Sequence, residues 1–178
     1  DLEAKSMAKL DHPGIIKVYD YGEHNGAPFL VMQYLHLGTL KERLGKPIDS
    51  REAAAMLLPV AKALAYAHAQ RVLHRDVKPS NILINERGDA VLADFGIAKL
   101  LEGGEGHTLT GTGMGVGTPE YMAPEQWRGQ ATPATDQYAL GVVLYELLTG
   151  HKPYTADTPA AIILMQAMEP LQPPGNLV

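Results

Sequence analysis

Between Asp49 and Gln70, Leu57, Ala61, Leu64 and His68 recur at intervals of four, three and four, the spacing of one helix face. Asp49 or Ser50 is placed to cap the start of that helix, and Pro59 should bend it early. Leu2, Met7 and Leu10 fit the last turns of an earlier helix that stops before His12-Pro13-Gly14. Ile15 to Tyr21 and Phe29 to Tyr34 read as strands, joined through Glu23-His24-Asn25-Gly26, where Asn-Gly supplies the positive φ of a tight hairpin. A second hairpin follows: Ile82-Leu83-Ile84 and Ala90-Val91-Leu92 flank Asn85-Glu86-Arg87-Gly88. If Ile84 pairs with Val91, Asn81 stands opposite Asp94, and an amide oxygen and a carboxylate meet at the open end, the outline of a cation site. Leu101 to Val116 is rich in Gly, Thr and Glu and predicts a long loop. Thr132 or Thr135 caps a helix to about Thr149, with Leu140, Leu144, Leu147 and Leu148 apolar and Gly150 at its end. A last helical run, Ala160 to Met168, stops at Pro170.

Composition narrows the classes. The chain has 178 residues, 46% hydrophobic and 20% charged, the balance of a globular domain and not of a disordered tail. Fifteen Lys and Arg against twenty Asp and Glu give a net charge of -5, so no basic field exists to hold nucleic acid or anionic lipid. The lack of cysteine excludes disulfides and thiolate metal sites and fits a cytoplasmic setting. The apolar stretches around 53–69 and 140–148 are interrupted by Pro59, Lys62 and Glu146 and fall short of a membrane span.

Four motifs carry the chemistry. They are His74-Arg75-Asp76-Val77-Lys78-Pro79-Ser80-Asn81, Asp94-Phe95-Gly96, Gly117-Thr118-Pro119-Glu120-Tyr121-Met122-Ala123-Pro124-Glu125 and Asp136-Gln137-Tyr138-Ala139-Leu140-Gly141. Singly, each is an ordinary loop or turn. In this order and spacing the set resembles the eukaryotic-like serine/threonine protein kinases, in a bacterial-looking form given Ala123-Pro124-Glu125-Gln126 and Leu148-Thr149-Gly150.

The resemblance implies an α+β protein kinase-like fold in which 1–34 is a remnant of the small N-lobe and the start of the hinge. Residues 35–178 would be most of a mainly helical C-lobe without its final helices. It implies ATP and magnesium as cofactors and transfer of the γ-phosphate to Ser or Thr hydroxyls of protein substrates. Asp76 would accept the substrate hydroxyl's hydrogen bond as base, Lys78 would set a positive charge beside the transferring group, and Asn81 and Asp94 would hold magnesium. His74 would pack as a structural residue beneath Phe95, with Met7 and Val18 above. Thr118 would reach toward Asp76 and Lys78, and Asp136 would accept backbone N–H groups of the catalytic loop. Around ATP, Glu3 would pair with a lysine that precedes this chain, Met32 would be the gatekeeper, Gln33 to Leu35 the hinge, and Leu83 would lie beneath adenine. Arg75 would bind a phosphothreonine of the loop, with Thr110 and Thr112 the phosphorylated positions and Thr108 in reserve. A kinase homodimer for autophosphorylation is compatible with this family.

Other readings are weaker. A pseudokinase has little reason to keep Asp76, Lys78, Asn81 and Asp94 together, and a small-molecule phosphotransferase would lack the Gly117 to Glu125 segment that positions a peptide. A calcium-binding hairpin would need six to eight oxygen ligands where the hairpin offers two. The run Gly111 to Gly117 fails as a phosphate loop because its spacing is not G-x-G-x-x-G and no strand precedes it. Arg71 stands where relatives carry a left-handed Gly, and the glycine-rich loop and its lysine are expected upstream of Asp1, so these 178 residues alone are expected to be inactive.

Overall fold

The computed structural model describes residues 10–25, 27–95 and 118–177. Their elements run in order: strands β1 (Val18–His24) and β2 (Ala27–Met32), helix α1 (Ser50–Ala69), strands β3 (Ile82–Ile84) and β4 (Ala90–Leu92), then helices α2 (Pro133–Thr149) and α3 (Pro159–Met168). The expected helix before Leu10 and the loop from 101 to 116 lie outside the described residues. The mixture of helices and small antiparallel sheets is the α+β arrangement that the resemblance implies.

Helix α1 starts where its side-chain chemistry dictates. Asp49 accepts from the N–H of Arg51 at 2.9 Å and of Glu52 at 3.4 Å, satisfying two donors of the first turn. The helix runs through Pro59, and it buries Ala53, Leu57, Val60, Ala63, Leu64 and Ala67. Its C-terminus turns through Arg71, which adopts the left-handed φ of 61° expected from its position, at a cost of roughly 1–2 kcal/mol for a residue with a Cβ. Helix α2 is capped by Thr132, with Thr135 at its third position and Gly150 left-handed at φ 78° beyond its end. Its buried face carries Ala139, Val142, Val143 and Leu147 and also the polar Asp136 and Glu146. Of the apolar positions along this helix, Leu144 is 36% exposed. The α1 and α2 faces, with Ile82 and Leu92 from the sheet, close the main core.

Both hairpins form, with corrections. In the first, His24 pairs with Ala27 across a two-residue turn in which Asn25 has φ 53°. The first strand nevertheless begins at Val18 and not Ile15, because β4 competes for that segment. Leu92 donates to Gly14 O at 2.8 Å and Ile16 donates to Leu92 O at 2.9 Å. Beyond the second strand, Gln33 adds one more rung, donating to Lys17 O at 2.8 Å, whereas Tyr34 leaves the ladder and is 86% exposed.

In the second hairpin Ile84 pairs with Ala90, Leu83 with Val91 and Ile82 with Leu92. This is one residue out of the Ile84–Val91 register, and the turn explains it. Asn85 Oδ1 accepts from the N–H groups of Arg87 and Asp89, both at 2.9 Å, and Asn85 N–H donates to Asp89 O at 3.0 Å. Gly88 takes φ 85°, so the loop closes on the three residues 86–88. Asn81 therefore faces Ala93, whose N–H donates to Asn81 O at 2.8 Å, and Asp94 is the next residue along.

Candidate active site

The loop between α1 and β3 is organised by a carboxylate that arrives from another helix. Asp136, 1% exposed in the first turn of α2, accepts from three donors. Its Oδ2 receives His74 N–H at 2.9 Å and lies 2.7 Å from His68 Nε2; its Oδ1 receives Arg75 N–H at 2.7 Å. An ionised carboxylate is costly to bury unless its oxygens are paired, and here both are. The role that the resemblance assigns to Asp136, holding backbone N–H groups of this loop, is present in the structure.

His74 is fully buried and fixes the next residue. Its Nε2 lies 2.7 Å from Ala93 O, which can only accept, so that nitrogen carries the proton and Nδ1 is free to accept Asp76 N–H at 3.2 Å. Burial pushes the imidazole below its ordinary range, overriding the Ala93 hydrogen bond and the nearby carboxylates that favour the charged form. The ring packs against Phe95 at 4.7 Å between centroids. Val18 and Phe95 line a common small cavity with Leu10 and Leu30; Met7 lies outside the described residues.

Asp76 is thereby aimed at a point where three side chains converge. Lys78 Nζ lies 2.8 Å from Asp76 Oδ2, and Asn81 Nδ2 donates to the same oxygen at 3.0 Å and to Asp76 O at 2.8 Å. With both Nδ2 hydrogens directed to Asp76, Asn81 turns its Oδ1 the other way, a hard oxygen of the kind that suits magnesium. Asp94 follows the Ala93–Asn81 rung and adopts a left-handed φ of 61°, an uncommon conformation for a residue with a Cβ. Arg75 is also left-handed, at φ 68°, and its peptide is held on both sides: its N–H by Asp136 and its carbonyl by Gln126 Nε2 at 2.7 Å. The Arg75 Nε is buried and has no partner among the described residues.

Thr118 comes into the same place. It borders a cavity with Arg75, Asp76, Tyr121, Gln126 and Asp136, and its carbonyl accepts Tyr121 N–H at 3.0 Å. Behind it, Tyr121 donates its phenolic hydrogen to the buried Glu146 at 2.6 Å; burial first, and then that carboxylate, push the phenol well above its ordinary range. Glu120 pairs with Lys152 at 3.0 Å. Burial alone would raise its carboxyl, but backbone and Lys152 hydrogen bonds outweigh it and hold it below the usual value.

The residues expected around adenine are brought together in part. Met32, Leu35 and Leu83 pack on one cluster with Ile16, Val91 and Ala93. The N–H of Gln33 is taken by Lys17, which leaves Tyr34 and Leu35 as the hinge residues with uncommitted amides among the described hydrogen bonds. Glu3, Thr108, Thr110 and Thr112 lie outside the described residues. His68 and Gln126 are the site residues that sequence reasoning missed. His68 was legible only as part of a helix face and Gln126 only as a neighbour of Ala123-Pro124-Glu125, and no spacing rule points across 68 or 51 residues to their partners.

Comparison with known proteins places the chain in a family. The family model described as Protein kinase domain matches residues 2–174. Serine/threonine-protein kinase PknL of Mycobacterium tuberculosis is 44% identical over 164 residues, 90% of this chain and 40% of that protein. Serine/threonine-protein kinase PrkC of Bacillus subtilis is 42% identical over 173 residues, 94% of this chain and 26% of that protein. Serine/threonine-protein kinase PknB of Mycolicibacterium smegmatis is 40% identical over 181 residues, 98% of this chain and 29% of that protein. The chain thus spans less than half the length of these curated relatives.

Proposed function

The chain belongs to the protein kinase family, and we propose that it supplies the catalytic residues of an enzyme that transfers the γ-phosphate of ATP to Ser or Thr hydroxyls of proteins. The observation that carries this reading is the convergence on Asp76 Oδ2 of Lys78 at 2.8 Å and Asn81 at 3.0 Å. A carboxylate so held has a fixed direction and can accept the hydrogen bond of an incoming hydroxyl and, late in transfer, its proton. Lys78 moderates the negative charge of Asp76 and stands ready to stabilise charge that develops beside it. Magnesium, when bound, would supply positive charge against the negative charge of the phosphate groups. Asn81 Oδ1 and the Asp94 carboxylate are the oxygen donors that suit it, and Met32, Leu35 and Leu83 offer an apolar bed for adenine. Glu3 would complete the nucleotide site through its ion pair.

In this reading Thr118 positions the acceptor hydroxyl from the far side of Asp76. Arg75 serves regulation: its buried Nε, without a partner among the described residues, suits a phosphate on Thr110 or Thr112, which would order the loop and switch the enzyme on. Residues 1–34 belong to the N-lobe and hinge start and 35–178 to the C-lobe. Autophosphorylation between two copies would supply the first phosphate. No described helix is long and apolar enough to cross a membrane, and we place the reaction in the cytoplasm.

The test is phosphotransfer by the full-length gene product with a Ser/Thr peptide and magnesium. Asp76→Asn should lower kcat by about 10²–10⁴-fold, the usual worth of a positioned base, without a change in thermal midpoint. Undiminished transfer by Asp76→Asn would overturn the assignment.

A further inference from the structure

Gln126 belongs to none of the roles above, yet it touches the loop at a sensitive point. It lies just past Glu125, in a short turn of 3₁₀ helix from Gln126 to Arg128, and its side chain reaches back 51 residues to donate to Arg75 O at 2.7 Å. That carbonyl belongs to the peptide joining Arg75 to Asp76. The opposite side of Arg75, its N–H, is bound to Asp136 at 2.7 Å. Between these two anchors Arg75 is kept at φ 68°, which a side chain with a Cβ adopts only when its surroundings impose it. A residue in this state relaxes toward negative φ if either anchor is lost, and the relaxation rotates the peptide that carries Asp76.

The two anchors differ in origin. Asp136 comes from a long, well-packed helix, with 1% exposure and three donors of its own, and is a fixed element. Gln126 comes from the irregular segment 118–128, the same segment that brings Thr118 and Tyr121 to the cavity beside Asp76. Gln126 is only half-buried, and its described side-chain hydrogen bond is the one to Arg75 O. Its hold on Arg75 therefore depends on where the segment sits.

We infer that Gln126 is a positioning residue that couples the placement of the 118–128 segment to the orientation of the catalytic base, by holding Arg75 left-handed through its carbonyl. The inference rests on the reading of Asp76 as base. Docking of the segment by a protein substrate or by loop ordering would then be transmitted to Asp76 through a single backbone carbonyl, separately from any contact made by the Arg75 guanidinium.

The experiment uses the full-length gene product and two variants. Gln126→Met keeps the length and removes the donor; Gln126→Lys restores a donor of similar reach. Loss of one hydrogen bond to the backbone should lower kcat for peptide phosphorylation by roughly three- to tenfold in Gln126→Met, with KM for ATP within about twofold. Gln126→Lys should recover most of the loss. Hydrogen exchange at the Arg75 and Asp76 amides should quicken in Gln126→Met and return toward the parent rate in Gln126→Lys. An unchanged kcat with unchanged exchange overturns the inference, as does a loss that Gln126→Lys fails to recover. If the parent protein shows no phosphotransfer, the functional reading fails on its own, and the exchange rates still decide whether Gln126 fixes the loop.

Discussion

The two hairpins begin from similar local signals and end in opposite circumstances. In the 82–92 hairpin, five of the six paired strand residues are buried, and Leu83 is packed on a side cluster. The 18–32 hairpin keeps Tyr19, Tyr21, Phe29 and Val31 between 40% and 61% exposed. Both have a turn residue with the required positive φ and both pair as antiparallel ladders. What separates them is tertiary anchoring: the second is clamped at its open end by Asn81, Ala93, His74 and, through the loop, by Asp136. The proposed site lies at the clamped hairpin: the roles proposed for Asp76, Lys78, Asn81 and Asp94 would require fixed distances, and fixed distances need buried, saturated hydrogen bonds.

The contrast can be broken most severely at its main anchor. Asp136→Ala strips the acceptor from His74 N–H, Arg75 N–H and His68 at once, and should destabilise the fold by on the order of 3 kcal/mol, measured by urea denaturation. The same denaturation curve with a change under about 1 kcal/mol would show that the clamp is not what distinguishes the two hairpins.

Acidification tests the clamp next. His74 has its folded pKa depressed by burial, so the unfolded chain binds the proton and the folded chain resists it. The sign follows: stability is full above the unfolded value of 6.5 and is lost progressively as pH falls below it. Thermal midpoints should therefore drop between pH 7.5 and 5.5, and the drop should be smaller in His74→Gln. Equal slopes in the two proteins would refute the burial of a neutral imidazole.

Gly88→Ala sharpens the comparison at the turn itself. An added Cβ would meet nothing within 4 Å, so the cost is that of φ 85° alone, about 1 kcal/mol. Smallest of all should be Phe29→Ser on the exposed hairpin. A ring that is 42% exposed should change stability by about 0.5 to 1 kcal/mol in the same assay, well below any core truncation.

Much of this was legible beforehand, and the gaps have a common cause. The helices of 50–69 and 133–149 follow from periodicity and capping residues within a few positions of each other. Asp76, Lys78 and Asn81 lie within six residues, so a motif brings them together and their mutual contacts follow from a tight loop. The register of the second hairpin was misread by one because Asn85 satisfies Arg87 and Asp89 with its own side chain and closes a three-residue loop in place of a four-residue one. The start of β1 moved because β4, 74 residues after Val18 at Leu92, competes for Ile16. In each case a partner remote in sequence, or a side chain acting as backbone, outbid the local pattern.

The reach of Asp136 has a consequence for how the chain assembles. His74 and Arg75 are bound by a residue 62 and 61 positions later. Closing a loop of that size carries an entropic penalty that must be met before its hydrogen bonds form, so the contact belongs to the slow, late part of assembly. On the ribosome, the loop that carries Asp76 emerges well before the helix that shapes it. The nascent chain thus has Asp76 in hand but not in place until it has grown past Gly150 and α2 has docked.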